Sequence, residues 1–153
     1  MHSMLTQRHC KRRDFGAGFE DSSGATSATL VHHMREPMPA INLAEKLAAF
    51  DGHWQPRVVG QFNGHDLMVV KVKGEFVWHT HDNTDDLFLV LEGRITIRMR
   101  GGNVSLGPGE LFVVPKGVEH CPFAEEEAHV LLIEPAGTPN TGDAGTAAPR
   151  RVL

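Results

Sequence analysis

Two histidines separated by one residue, His79 and His81, are the residues in this sequence whose spacing could support chemistry. On a β-strand, residues two apart point to the same side, so both imidazoles can bind one ion. A run of aspartates follows directly, ending at Asp86, and a third histidine, His120, comes later in the segment GPGELFVVPKGVEHCP. Three imidazoles with one carboxylate suit a divalent first-row transition metal rather than calcium or a thiolate-bound ion.

The elements that must position these residues are short β-strands. Residues 57–133 contain roughly eight or more short apolar segments at regular spacing, separated by Gly and Pro, which is typical of an all-β sandwich or barrel. The last two predicted strands are residues 120–123 and 129–133, and the acidic residues between them are predicted to form a solvated loop. A short helix precedes the strands, because Asn42 can cap a helix with Glu45 three residues later.

The sequence predicts three parts of different character. Residues 1–38 are polar and are predicted to form a flexible N-terminal extension, because they offer little apolar surface to bury. One hypothesis is that the natural product starts at Met34 or Met38, and the alternative is a genuine disordered arm. Residues 39–136 are predicted to form the barrel domain. Residues 137–153 are rich in Pro, Gly, Thr and Ala and are predicted to form a flexible tail.

Composition excludes several classes of function. The formal net charge is −4 and the sequence pI is about 6.2, so the chain has no large basic face for nucleic acid. No apolar run approaches the length of a membrane span, and the basic N-terminal run lacks the apolar segment of a secretory signal. The two cysteines give no support for a disulfide, which favours a cytoplasmic protein. The chain has no tyrosine, so a catalytic base must be a carboxylate, a histidine or a metal-bound hydroxide.

Two motifs in register resemble those of the cupin family. In the first motif Gly74, His79, His81 and Gly93 match, and Asp86 stands where the family has a glutamate. In the second motif Gly109, Pro115, Gly117 and His120 match, whereas Ala124 replaces an asparagine that is often present. The resemblance spans residues 41–135. Within the family, this part of the sequence is similar in particular to small single-domain cupins loosely related to mannose-6-phosphate isomerases.

The resemblance implies a double-stranded β-helix (jelly-roll) barrel, commonly a homodimer, with one metal in its mouth. The implied ligands are His79, His81, Asp86 and His120, and the implied ion is Fe, Mn, Ni or Zn. The alternative is that the glycines and prolines only form turns, in a barrel that has lost its ion. No nucleic acid or membrane partner is expected.

Asp86 is the most important departure from the family pattern. Its side chain is one methylene shorter than glutamate and reaches about 1.5 Å less, whereas metal–ligand distances tolerate errors of only about 0.2 Å. Three outcomes are open: the backbone shifts so that Asp86 binds directly, a water bridges it to the ion, or three histidines bind with open positions. Asp85 could compete, but on a strand it points to the opposite face.

Two classes of function fit these residues. The first is a metal-dependent enzyme acting on a small carbonyl- or hydroxyl-bearing molecule, by isomerase, lyase or dioxygenase chemistry, with the ion as a Lewis acid. The second is a non-catalytic module that holds a metal or a small ligand in the barrel. The sequence assigns no particular residue as the catalytic base.

Overall fold

A computed structural model describes residues 39–153, and the extension predicted for residues 1–38 lies outside this part. One short helix and eight strands follow one another along the described chain. The elements are α1 (Leu43–Ala48), β1 (Arg57–Phe62), β2 (His65–Glu75), β3 (Asp86–Glu92), β4 (Ile95–Met99), β5 (Val104–Leu106), β6 (Leu111–Val114), β7 (His120–Pro135) and β8 (Arg151–Val152). The predicted all-β class and the helix near Asn42 are therefore confirmed.

The long strand β7 organises the sheet, because it pairs with three other strands. Its first residues pair antiparallel with β4, most of the rest pairs with β2, and residues 129–133 also pair with β3 on the other side. The strand order is β5-β4-β7-β2-β1-β8, and β3 also pairs with β6. This arrangement is the predicted cupin jelly-roll barrel. The prediction of two strands separated by an acidic loop is wrong, because Glu125, Glu126 and Glu127 continue β7 with exposed side chains.

The core follows from the alternation of side chains along the strands. Interior positions are apolar and form one large buried cluster, whose members on four strands include Val70, Val72, Phe88, Val90, Ile95, Ile97, Val130 and Leu132. Helix α1 covers part of the outer surface, where Leu47 packs with Val59 and Val69. The side chain of Asn42 accepts hydrogen bonds from the N–H groups of Ala44 and Glu45, as the predicted cap requires.

Residues 137–153, predicted to be a flexible tail, instead pack against the barrel. Strand β8 pairs in parallel with β1, and the N–H of Leu153 donates to the carbonyl of Val58 at 3.0 Å. Arg150 forms an ion pair with the buried carboxylate of Asp66 on β2. Composition could not reveal this, because the partners of the segment lie far away in the sequence and polar, Gly-rich residues carry no periodic signal.

Candidate metal centre

The segment between β2 and β3 carries His79 and His81. It was predicted to be a strand, but only His79 pairs, in an isolated antiparallel bridge with His120. Each of these two residues donates its N–H to the other's carbonyl at 3.0 Å, and the N–H of Gly117 donates to the carbonyl of His81 at 2.9 Å. These backbone hydrogen bonds hold the two motifs together, although they lie far apart in the sequence.

The three imidazole rings converge inside the barrel mouth. Ring centroids are 4.2 Å apart for His79 and His120, 5.1 Å for His79 and His81, and 5.9 Å for His81 and His120. The Nδ1 atoms of His79 and His120 each lie 3.0 Å from the carbonyl of the residue two positions earlier. A carbonyl can only accept, so Nδ1 carries the proton in both rings and Nε2 offers its lone pair.

The side chain of Asp86, the first residue of β3, lies next to the Nε2 atoms of His81 and His120. Its Oδ2 lies 3.2 Å from Nε2 of His120 and 3.6 Å from Nε2 of His81. One ligand atom from each of the three histidines and Asp86 can be chosen so that all lie within 4.8 Å of one another. Bonds of about 2.1 Å to one ion separate neighbouring ligands by about 3.0–3.4 Å, so the two distances from Oδ2 of Asp86 suit a shared ion, and any pair near the 4.8 Å limit would have to draw closer. Asp85 instead accepts a hydrogen bond from the N–H of Lys116.

Burial keeps the histidines in the state that a metal requires. It lowers the pKa of His79 to about 4, opposed by the carbonyl of Val77, and it also lowers the pKa of His81. Both rings are therefore neutral at pH 7. Nε2 of His81 and Oδ1 of Asp86 are buried and have no hydrogen-bond partner among residues 39–153. Buried polar atoms rarely lack partners, so these two fit the ligand set of a divalent ion.

Glu134, near the end of β7, is a residue that sequence reasoning missed. It is 2% exposed, and its Oε1 lies 4.0 Å from Nε2 of His81. Burial, and then the charge of Asp86, raises the pKa of its carboxyl to about 8. The signal that could have found it is alternation, because Ala128, Val130 and Leu132 on the same strand all point inward.

A cavity of about 40 Å³ adjoins the histidines inside the barrel. Most of its lining is apolar, including Trp54, Val72, Phe76, Phe88 and Leu132. Its polar lining comes from His79, Asp86, Glu134 and Asn140, and no lysine or arginine of the described chain reaches it. A second cavity of about 170 Å³ lies beneath residues 137–150 and shares Pro56, Glu134 and Asn140 with the first. The candidate centre therefore opens on a small, mainly apolar space without positive charge.

Comparisons with known proteins give the family. The cupin-domain family profile matches residues 66–134. A cupin-2 domain containing protein from Shewanella frigidimarina is 48% identical, with a TM-score of 0.61 over 62% of this chain and 93% of that chain. A Neisseria meningitidis protein is 35% identical, with a TM-score of 0.59 over 64% of this chain and 100% of that chain. The chain belongs to the cupin family.

More distant comparisons add less. The Bacillus subtilis protein YdbB is 32% identical over 63 residues, which cover 40% of this chain and 56% of that protein. This chain thus spans little more than half of the length of that relative. Hydroquinone 1,2-dioxygenase from Sphingomonas sp. TTNP3 is 19% identical with a TM-score of 0.59, over 66% of this chain and 33% of that chain, and shares the fold. No helix within residues 39–153 has the length and apolar character needed to cross a membrane.

Proposed function

We propose that this cupin is a metal-dependent enzyme for a small molecule with adjacent carbonyl or hydroxyl oxygens. His79, His81, Asp86 and His120 would hold one divalent transition metal, Fe, Mn, Ni or Zn. The observation that carries the proposal is the convergence of four buried ligand atoms, of which the Nε2 of His81 lacks any hydrogen-bond partner in the described chain.

The residues of the centre have separable roles. The hydrogen bonds from Nδ1 of His79 and His120 to backbone carbonyls fix both rings and direct Nε2 toward the centre. Asp86 contributes the negative charge that offsets part of the charge of the ion. When bound, the ion supplies Lewis-acid character toward two adjacent oxygens of a substrate. The apolar wall around the centre excludes water and strengthens these electrostatic interactions.

The lining of the cavity supports a narrower class of substrate. Trp54, Phe76 and Phe88 offer apolar contact, and no cationic side chain is present to bind a phosphate. A small and largely apolar diol, phenol or hydroxy-carbonyl compound fits this lining better than a sugar phosphate. The Sphingomonas dioxygenase, which shares the fold, was solved with 4-hydroxybenzoate bound. Dioxygenase, lyase and isomerase chemistry all remain compatible with one Lewis-acidic ion.

An apolar outer surface supports homodimerisation. Leu87 and Leu89 on β3 pair with Val113 and Leu111 on β6, and all four side chains face away from the interior. Leu111 is 58% exposed and Val113 is 38% exposed. Exposed apolar surface of this kind is typical of interfaces. A single-chain mass by light scattering at micromolar concentration would contradict the homodimer.

Elemental analysis of protein purified without a metal-binding tag tests the proposed function. We expect close to one transition-metal ion per chain in the wild type and much less in His79→Ala. His65→Ala is the matched control, because His65 is exposed on β2 and lies outside the centre. Oxygen uptake and product formation with small diols, phenols and hydroxy acids then identify the reaction. Absence of metal under metal-replete expression would refute the proposal, and metal without any turnover would favour the binding module.

A further inference from the structure

Glu134 is a buried carboxyl group to which neither the family motifs nor the proposed ligand set gives a role. It is 2% exposed, yet its side chain forms no hydrogen bond with any residue of the described chain. The fully enclosed polar atoms without a partner are Nε2 of His81 and Oδ1 of Asp86, and the oxygens of Glu134 are not among them. A ligand or water in the cavities that Glu134 lines can therefore supply the hydrogen bonds that a buried carboxyl group needs. A purely structural role would call for partners, which the surrounding residues do not supply.

Glu134 also lies outside the group of ligand atoms. Its nearest ionisable contact is Nε2 of His81 at 4.0 Å. It does not join the four residues whose ligand atoms lie within 4.8 Å of one another. Glu134 is therefore not a member of the candidate ligand set, although it lies next to it.

The position of Glu134 between two cavities gives it access to a ligand. It lines the barrel cavity beside Asp86 and also lines the larger cavity beneath the C-terminal segment. Asn140 lines both cavities too, and its Oδ1 accepts a hydrogen bond from the N–H of Ala148 at 2.9 Å. That bond leaves the NH₂ group of Asn140 free to donate. An acceptor and a donor thus stand together at the junction of the two cavities.

We propose that Glu134 is a substrate-binding residue that accepts a hydrogen bond from a ligand bound at the ion. The inference rests on the proposed function and narrows its substrate class. The ligand has two adjacent oxygens for the ion, a small apolar body for the barrel cavity, and a hydroxyl or N–H donor that reaches Glu134. Asn140 then donates to an acceptor on the same end of the ligand.

A matched pair of probes tests the donor requirement on the full-length chain loaded with Co²⁺. Acetohydroxamic acid and N-methylacetohydroxamic acid chelate through the same two oxygens, and only the first carries an N–H. Each is titrated against the visible absorption of bound Co²⁺ in wild type, Glu134→Leu and Glu125→Leu. Glu125 is an exposed residue of the same strand and gives the same chemical change outside the cavity.

We expect wild type and Glu125→Leu to prefer the N–H probe at least tenfold, and Glu134→Leu to lose that preference while its Co²⁺ affinity stays within threefold. Equal preference in wild type and Glu134→Leu would overturn the role of Glu134 and leave the metal site standing. Failure of the wild type to bind Co²⁺ would overturn the proposed function itself.

A second measurement separates ligand binding from a structural role. Because Glu134→Leu removes an unpaired buried carboxyl, the melting temperature of the metal-free variant should equal or exceed that of the wild type. Glu134→Gln, which keeps the shape of the side chain, should behave in the same way. A fall of about 10 °C or more in both variants would show that Glu134 holds the barrel together and would overturn the inference.

Discussion

Binding of Zn²⁺ should stabilise the metal-free protein strongly, and the change His79→Ala should remove most of that gain. His79 is buried, its Nδ1 is held by the carbonyl of Val77, and its pKa of about 4 keeps the ring neutral at pH 7. Binding at pH 7 therefore displaces no proton from this ring. At a free Zn²⁺ concentration about 1,000 times Kd, the stabilisation is about 4 kcal/mol, or roughly 15 °C in Tm for a domain of this size.

The decrease in Zn²⁺-induced stabilisation expected in His79→Ala follows from the loss of one ligand. Partners that only support a ligand are worth about 10–100-fold in metal affinity, so removal of a ligand should cost at least about 100-fold. At the same Zn²⁺ concentration the remaining gain is about 1.4 kcal/mol, or roughly 5 °C. The variant also loses packing against Phe76 and His120. For this reason the quantity compared is the increment caused by Zn²⁺ rather than the absolute Tm.

Differential scanning calorimetry of untagged protein, with and without Zn²⁺, measures both increments. His65→Ala is the control and should keep the increment of the wild type, because the side chain of His65 is exposed and lies 3.1 Å from the carbonyl of Asn63, outside the centre. An equal increment in His79→Ala and wild type would refute the assignment of His79. No increment in any of the three proteins would refute the centre.

Changes at Asp86, at the ion pair of Arg150 with Asp66, and in pH test other parts of the structure. Asp86→Glu should lower Zn²⁺ affinity about tenfold or more in a competition titration. Oδ2 of Asp86 already lies 3.2 Å from Nε2 of His120, and another methylene would carry the carboxylate about 1.5 Å past this position. Tighter binding of Zn²⁺ by Asp86→Glu would contradict this prediction. In urea denaturation, Arg150→Met should lower the free energy of unfolding by about 3 kcal/mol, because it leaves the carboxylate of Asp66, whose side chain is 3% exposed, without its partner. Asp66→Asn should lower it by only about 1 kcal/mol, because the Arg150 side chain is 29% exposed and can be hydrated. A larger loss in Asp66→Asn than in Arg150→Met would refute this reasoning. Because the folded pKa of His79, about 4, lies below the 6.5 of the unfolded chain, the metal-free protein should lose about 3 kcal/mol as pH falls from 6.5 to 4. In His79→Ala the urea midpoint should fall less on acidification, with the contribution of His81 remaining, and an unchanged pH dependence would contradict the assignment.

The parts of the molecule that local sequence determines were predictable. His79 and His81 stand two residues apart, and glycines and prolines mark the turns around His120, so the spacing itself carries the motif. Strand periodicity predicted the all-β class for the same reason. The predicted ligand set His79, His81, Asp86 and His120 stays a prediction, although the structure brings these four side chains together.

The parts that depend on distant pairing were not predictable. Alternation along β7 indicates that Glu134 points inward, but its place beside the centre depends on the pairing of β7 with β2 and β3, a register that the sequence does not give. The acidic residues 125–127 favour a loop by composition, yet they continue the strand as an irregularity between Ala124 and Ala128, which pair with Gly74 and Val72 of β2. The C-terminal segment is attached through Arg150 to Asp66 and through β8 to β1, contacts between positions more than 80 residues apart. Tertiary context overrides local preference in all three cases.

The C-terminal segment touches the centre at one further point. Gly142 has φ of +72°, and a Cβ atom there would overlap the carbonyl oxygen of Thr80, the residue between the two histidines of the first motif. A side chain at position 142 would therefore displace the backbone that aims both imidazoles. When homologous sequences are surveyed for natural variation, a substitution of this glycine should be counted with changes to the centre, even though it occurs some sixty positions away in a stretch that resembles an expendable terminus.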